Sequence, residues 1–130
     1  MIPRKSFQFI LFGALLVSVV AAGHSISSAE IDPTKVFFGN PLSFENPSEV
    51  DLGRVIMATD EYQEIKKKKI KKGTGKYWEL MSKATDRAIR AVLGIGSDGN
   101  FDLICAAGYL SACDPPIEAE DATDLAISKL

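Results

Sequence analysis

The chain has few of the residues on which most enzymes depend. Its 130 residues include one histidine, His24, one tryptophan and two cysteines. The spacing of Cys105 and Cys113 matches neither a CxxC redox motif nor a zinc site. His24 lies at the expected end of an N-terminal leader, which leaves no histidine within the body of the mature chain for a Ser-His-Asp or Cys-His system. The sequence therefore predicts that the protein is not an enzyme and binds neither a metal nor a cofactor.

One glycine-rich segment imitates a cofactor site. Residues 94–99 match the GxGxxG pattern of dinucleotide-binding proteins. That fingerprint needs a strand before it and a helix after it, whereas here a predicted helix precedes it and a predicted strand follows. This order excludes the dinucleotide-binding interpretation.

A long apolar run occurs only at the N-terminus. Residues 7–22 are apolar except for one Gln and one Ser, and Arg4 and Lys5 precede them. Sixteen helical residues would span about 24 Å, short of the roughly 30 Å core of a bilayer. With small residues at plausible cleavage positions, this predicts a signal peptide over residues 1–29, cleaved before His24 or before Glu30. A retained membrane anchor is the alternative. A periplasmic location follows from export.

The two cysteines leave two interpretations open. An oxidising compartment would allow a disulfide between Cys105 and Cys113. Two small, half-buried thiols are equally consistent with the sequence.

Charge is distributed unevenly along the chain. The net charge is −2, which does not favour nucleic acid as a partner. Between Lys66 and Arg90 there are ten basic residues against two acidic ones, whereas residues 91–128 hold seven acidic residues and no basic one. The chain therefore has a basic middle and an acidic end.

Two helices are predicted in the middle of the chain. The first begins at Thr59-Asp60-Glu61, where a capping hydroxyl precedes two acids, and runs to about Lys72 before Gly73. The second covers about residues 76–94 and has an apolar stripe. The short connection predicts an antiparallel helical hairpin over residues 60–94. The stripe consists of Trp78, Met81, Thr85, Ala88, Val92 and Ile95, widened by Tyr77, Leu80, Ala84 and Ala91.

Short strands flank the helices. Residues 35–39 and 49–52 have strand character. The rest of residues 30–47 contains turn signals and is predicted to be an irregular segment before the domain, here called the lead-in. Residues 101–112 predict a hairpin that turns near Gly108, followed by a Pro-Pro stop and a short terminal helix. The predicted class is α+β, in which an N-terminal strand and the C-terminal hairpin form a small β body and the helical hairpin projects from it.

The lysine run between the helices has two interpretations. It is either a solvated helix end or a contact surface for an acidic partner or an anionic membrane. The residues concerned are Lys66, Lys67, Lys68, Lys69, Lys71 and Lys72.

Two blocks of the chain resemble the Skp/OmpH family of periplasmic chaperones. One block is Glu49-Val-Asp-Leu-Gly-Arg-Val-Ile-Met-Ala-Thr-Asp-Glu-Tyr62, and the other runs from Arg87 to Leu130, with Phe101-Asp-Leu103 opening its strand. The resemblance implies a single domain over residues 48–130. It also implies a homotrimer whose strands form a common body and whose helical arms hold unfolded outer-membrane proteins. The arm here would span only about 20–28 Å, several times less than in the family.

The resemblance implies a function in outer-membrane biogenesis. The protein would be an exported, chaperone-like module that binds unfolded or outer-membrane proteins. The alternative is a non-catalytic structural or accessory protein of the envelope that has lost this holdase activity. Apolar side chains beyond what one short strand can cover also predict subunit association. The expected oligomer core comprises Val50, Leu52, Phe101, Leu103, Tyr109 and Leu110.

Overall fold

The computed structural model describes residues 23–130, so most of the predicted signal peptide lies outside the described residues. Within them, a four-stranded sheet is combined with four helices, which confirms the predicted α+β class. The strands are β1 (Val36–Gly39), β2 (Pro47–Val50), β3 (Leu103–Ala106) and β4 (Glu120–Asp121). The helices are α1 (Leu52–Met57), α2 (Asp60–Lys67), the long α3 (Gly75–Ser97) and the C-terminal α4 (Thr123–Ser128).

The sheet is mixed, with the strand order β1-β3-β2-β4. β2 lies parallel to both β3 and β4, and β1 lies antiparallel to β3. Because parallel neighbours need a long crossover, the whole helical region from α1 to α3 connects β2 to β3. This crossover carries the helices to one face of the sheet.

The predicted C-terminal hairpin does not form. After β3 the chain makes consecutive tight turns, in which the Tyr109 N–H donates to the Ala106 carbonyl at 3.1 Å. The Leu110 N–H donates to the Glu49 carboxylate at 2.8 Å, and Leu110 itself is fully buried. That N–H is therefore not free for a ladder, and β1 occupies the edge of β3 that the returning strand would have taken.

Side-chain caps define where the three central helices begin. The Asp51 carboxylate accepts from the Arg54 N–H, and the hydroxyls of Thr59 and Thr74 accept from backbone N–H groups three residues on. α2 ends at Lys67, five residues before the predicted end, and Lys69 then adopts a positive φ of 50°. A left-handed residue cannot continue a helix, so the lysine run lies mostly in the connection.

The predicted helical hairpin is present, because α2 packs against α3 along its N-terminal half. Ile65, Leu80 and Ala84 are buried within this pair. The predicted stripe is wrong at its first member, since Trp78 is 60% exposed. The buried face of α3 is centred about one residue away from the prediction and consists of Leu80, Ala84, Ala88, Ala91, Val92, Ile95 and Gly96.

Both faces of the sheet are covered by the chain itself. On one face, Ile104 packs with side chains of α1, α3 and α4, among them Val55, Val92 and Ala126. On the other face, Leu103 and Cys105 pack in a second cluster with Ile26, Phe44, Leu110 and Cys113. The alternation of Leu103, Ile104 and Cys105 between the two clusters is the ordinary period of a strand.

The predicted lead-in and the last residues of the predicted signal peptide, from His24 onward, belong to the packed unit. His24 and Phe44 exchange backbone hydrogen bonds of 2.7 and 3.0 Å, and Ile26 is 2% exposed. β1 is a sheet strand within this segment. The folded unit therefore includes residues 24–47 as well as the predicted domain over 48–130.

The side chains expected at a subunit interface are covered within one chain. Val50, Leu103 and Leu110 have no exposed surface, and Phe101 is 5% exposed. Leu52 and Tyr109 are half-buried. The N-terminal segment and the helices thus cover Val50, Phe101, Leu103 and Leu110 within one chain, whereas Leu52 and Tyr109 keep part of their surface exposed.

Candidate functional site

The strongest candidate site is the hairpin tip, defined as residues 64–79. It contains the end of α2, the connection and the first turn of α3. The Thr74 hydroxyl holds the connection in place, because it donates to the Lys71 carbonyl at 2.8 Å and accepts from the Tyr77 N–H at 3.2 Å. The Ile70 N–H donates to the Ile65 carbonyl at 3.0 Å, which closes the end of α2. Short-range hydrogen bonds therefore define the shape of the tip.

The hairpin tip projects from the body. Ala88 is the α3 residue nearest the tip that belongs to the cluster on the sheet. Gly75 lies thirteen residues before it, which corresponds to about 20 Å along the helix axis. At the base, the Arg87 guanidinium lies 3.3 Å from the Glu61 carboxylate and 3.8 Å from that of Asp60. These contacts tie the start of α2 to α3 and leave the tip exposed.

The hairpin tip is strongly basic. Residues 64–79 contain seven lysines and two glutamates, a net charge of +5. Every one of the seven lysines is exposed. Both glutamates pair locally, Glu64 with Lys68 and Glu79 with Lys76, each at 3.3 Å. The remaining lysines form no ion pair within residues 23–130; they are Lys66, Lys67, Lys69, Lys71 and Lys72.

An exposed aromatic pair accompanies these charges. Trp78 is 60% exposed, and its ring meets the Tyr77 ring edge-on with a centroid distance of 5.4 Å. Trp78 lies two and six residues before the buried Leu80 and Ala84, which places it on the opposite side of α3. Trp78 was predicted to lie in the apolar stripe; its position one turn after Thr74 and close to the lysine run could have assigned it to the tip.

The two cysteines form a buried site of low reactivity. Cys105 is fully buried, Cys113 is 7% exposed, and both are free thiols in the same cluster. Burial raises the pKa of Cys105 to about 12, and the neighbouring Glu49 carboxylate and the Cys113 thiolate contribute further. Burial also raises the pKa of Cys113, with Glu30 and Glu49 adding to it. Because the thiolate is the nucleophile, neither cysteine is suited to covalent catalysis in the folded chain.

An open groove of about 990 Å³ lies between the N-terminal segment and residues 113–120. Its lining includes His24 and five carboxylates: Glu30, Glu45, Asp114, Glu118 and Glu120. Over residues 23–130, no three His, Cys, Asp or Glu side chains are placed to hold a metal ion. The groove therefore supplies an acidic surface without an assembled ligand set.

Two side chains fasten the N-terminal segment to the body through contacts that the sequence did not predict. The Tyr109 hydroxyl donates to the Glu30 carbonyl at 2.7 Å and accepts from the Asp32 N–H at 2.9 Å. The Asp102 carboxylate accepts from the N–H groups of Glu45 and Asn46 at 2.7 and 2.8 Å. These contacts join residues more than fifty positions apart, which no local pattern indicates.

None of the described helices is both long enough and apolar enough to cross a membrane.

Comparison with known proteins yields no relative, since no family model, no curated protein and no solved structure matches the chain. The resemblance to the Skp/OmpH family therefore remains a prediction from the residues that suggested it.

Proposed function

We propose that the protein is an exported, Skp/OmpH-like binding module that contacts unfolded or outer-membrane proteins through its helical hairpin. The observation that carries this proposal is the hairpin tip, which projects about 20 Å and bears a net charge of +5. A projecting basic end is accessible to large partners and attracts acidic segments. The acidic groove of the body would instead repel such segments.

The order of the elements supports the proposal. The resemblance implies a body strand, a helical arm, a second body strand and a terminal helix. The chain has β2, the pair α2 and α3, β3 and α4 in that order. The departure is the segment at residues 109–112, which forms turns instead of the implied strand.

The outer face of α3 offers apolar contacts that suit an unfolded chain. Trp78, Ile89 and Leu93 are 60%, 42% and 40% exposed. Their spacings of eleven and four residues place them on one face of the helix. An unfolded polypeptide could therefore meet Ile89 and Leu93 at the base of the arm, and Trp78 with the lysines at its end.

Suppression of aggregation tests this proposal. A denatured outer-membrane β-barrel protein is diluted from urea, and light scattering is followed with and without the protein. We expect the protein to reduce scattering, and the variant Lys67→Glu/Lys68→Glu/Lys71→Glu to reduce it less, because charge reversal removes the basic tip. A variant carrying Ile89→Ser and Leu93→Ser separates the apolar contacts at the base of the arm from the charges at its tip. Unchanged scattering at a molar excess of the wild-type protein contradicts the proposal.

A structural or accessory role in the envelope is the second candidate. The observation that favours it is the short arm, because arms of about 20 Å cannot enclose a client of ordinary size. In this case the protein has a stable partner in a pull-down from the envelope and leaves aggregation unchanged.

A further inference from the structure

Trp78 is held in an exposed position at the end of the hairpin. It lies in the first turn of α3, and the half-buried Tyr77 ring packs against it edge-on. Most tryptophans in folded proteins are largely buried, because the indole contributes a large apolar area. An indole that is 60% exposed at a projecting end therefore points to a partner that covers it.

Five lysines without an ion pair among the described residues surround the same connection: Lys66, Lys67, Lys69, Lys71 and Lys72. Long lysine stems can lie along apolar surface while the ammonium groups stay in a polar layer. Tryptophan and tyrosine are enriched at the headgroup level of bilayers, and lysines are attracted to anionic lipid. The tip thus combines the residue types that suit a lipid surface.

The charge of the whole molecule is polarised. The chain carries −2 and the hairpin tip carries +5, so the remaining residues carry −7. In front of an anionic surface such a molecule orients with its tip forward, because the body is repelled and the tip is attracted. The orientation brings Trp78 to the surface.

We propose that the hairpin tip docks on an anionic phospholipid surface, with Trp78 among the headgroups and the lysines against the lipid phosphates. The proposal rests on the proposed export to the envelope, where such surfaces occur. A bilayer offers negative charge and an apolar layer at every point. An acidic protein segment would need an apolar site matched to the position of Trp78, which is why lipid is the favoured partner.

The fluorescence of Trp78 provides a direct test, because it is the single tryptophan of the chain. The exported protein is titrated with vesicles of phosphatidylcholine alone and of phosphatidylcholine mixed equally with phosphatidylglycerol. With the anionic vesicles we expect a blue shift of the emission and quenching by lipids brominated near the headgroup. Neutral vesicles should leave the spectrum unchanged, and added salt should weaken the response.

A pair of matched variants separates the tip from net charge. Lys67→Glu/Lys71→Glu should weaken vesicle binding at least about tenfold, since each lysine near the surface contributes to the attraction. Lys35→Glu/Lys83→Glu makes the same change in net charge at exposed positions outside the tip, and should weaken binding much less. All proteins share one N-terminus, so any contribution from residues 1–22 is equal among them.

Three results overturn the proposal. They are an unchanged Trp78 spectrum with anionic vesicles, an equal effect of the two double variants, and a blue shift with polyglutamate but not with vesicles. The last result assigns the tip to an acidic polypeptide. Because this assay contains no client and the aggregation assay contains no lipid, failure of this proposal is distinguishable from failure of the proposed function.

Discussion

At the residue scale, close packing decides which small residues the fold requires. α3 contains two glycines near its end, Gly94 and Gly96, and only one of them meets a neighbour. A Cβ added to Gly96 would lie 2.6 Å from the Phe38 ring, whereas a Cβ added to Gly94 would meet nothing within 4 Å. Gly96 therefore allows β1 to approach the helix, and Gly94 has no such role.

These two glycines give a paired stability prediction. We expect Gly96→Ala to destabilise the protein by about 1–3 kcal/mol, because the Phe38 ring must move. Gly94→Ala should stabilise it by about 0.5–1 kcal/mol, since alanine lowers the entropy lost on helix formation. Urea denaturation followed by circular dichroism measures both. Equal stability of the two variants would show that Phe38 does not lie against Gly96.

Cys105 gives a prediction about alkaline pH. Its pKa is raised from 9.0 to about 12 in the folded state. The resulting contribution to the free energy of unfolding is therefore fully present below about pH 9. This contribution is lost as the pH rises towards 12, because the unfolded chain ionises first. We expect the stability of the reduced protein to fall more steeply above pH 9 than that of Cys105→Ala.

Alkylation provides the accompanying measurement. Iodoacetamide should label Cys105 slowly in the folded protein at pH 8 and rapidly in urea, since reaction needs an exposed thiolate. Labelling of Cys105 at the same rate in both states would contradict the burial described above.

At the scale of elements, the N-terminal segment distinguishes the two candidate cleavage positions. Ile26 is buried in the cluster that contains Leu103 and Cys105, and the backbone of His24 pairs with that of Phe44. Cleavage before Glu30 would remove both contacts from the folded unit. Cleavage before His24 would retain them, so the fold favours that position if the leader is removed.

The expected N-terminus of the exported protein is accordingly His24. N-terminal sequencing of the protein from the envelope fraction measures it directly. A chain that begins at Glu30 should be less stable than one that begins at His24 by about 2–5 kcal/mol, the usual cost of removing a large buried aliphatic side chain. An exported protein that begins at Glu30 would refute this assignment, and one that begins at Met1 would refute cleavage itself.

At the scale of the whole molecule, the fold does not need a second subunit to cover its core. Both faces of the sheet are packed by segments of one chain. The homotrimer implied by the family resemblance is still a prediction. Such a trimer would have to use surfaces other than Leu103, Leu110 and Val50, which are fully buried.

We therefore expect any oligomer to dissociate into folded monomers. Sedimentation over a range of concentrations, with circular dichroism on the same samples, tests this expectation. Loss of secondary structure together with dissociation would show that the subunit core is required for folding.

A charge placed in the core should unfold the single chain. Leu103→Asp should abolish the fold, because burial of an unpaired carboxylate costs several kcal/mol. Leu42→Asp is the matched control, since Leu42 is 55% exposed and the variant should stay folded. A folded Leu103→Asp protein would contradict the position of β3 in the centre of the core.

The two helices of the hairpin were predictable because their signals are local. Thr59 acts as a cap as its position suggested, and the spacing of apolar residues indicated a hairpin over the correct region. The lysine run was identified as a candidate contact surface from the sequence, and the structure places it at the projecting end. Trp78, which lies beside the lysine run, was assigned to the wrong face of α3. A shift of one residue in a helical stripe changes which side chain faces solvent.

The sequence by itself determined the α+β class, the approximate place of the two hairpin helices α2 and α3, and the basic charge at their connection; the short helix α1 was not predicted. Caps, helical periodicity and charge depend on neighbours a few residues away, so they can be read along the chain. Only the tertiary structure decided that β1 rather than residues 109–112 pairs with β3, and that the N-terminal segment completes the core. Strand pairing and burial join residues up to about seventy positions apart, and their choice depends on competition among all segments for the same edge and the same apolar surface.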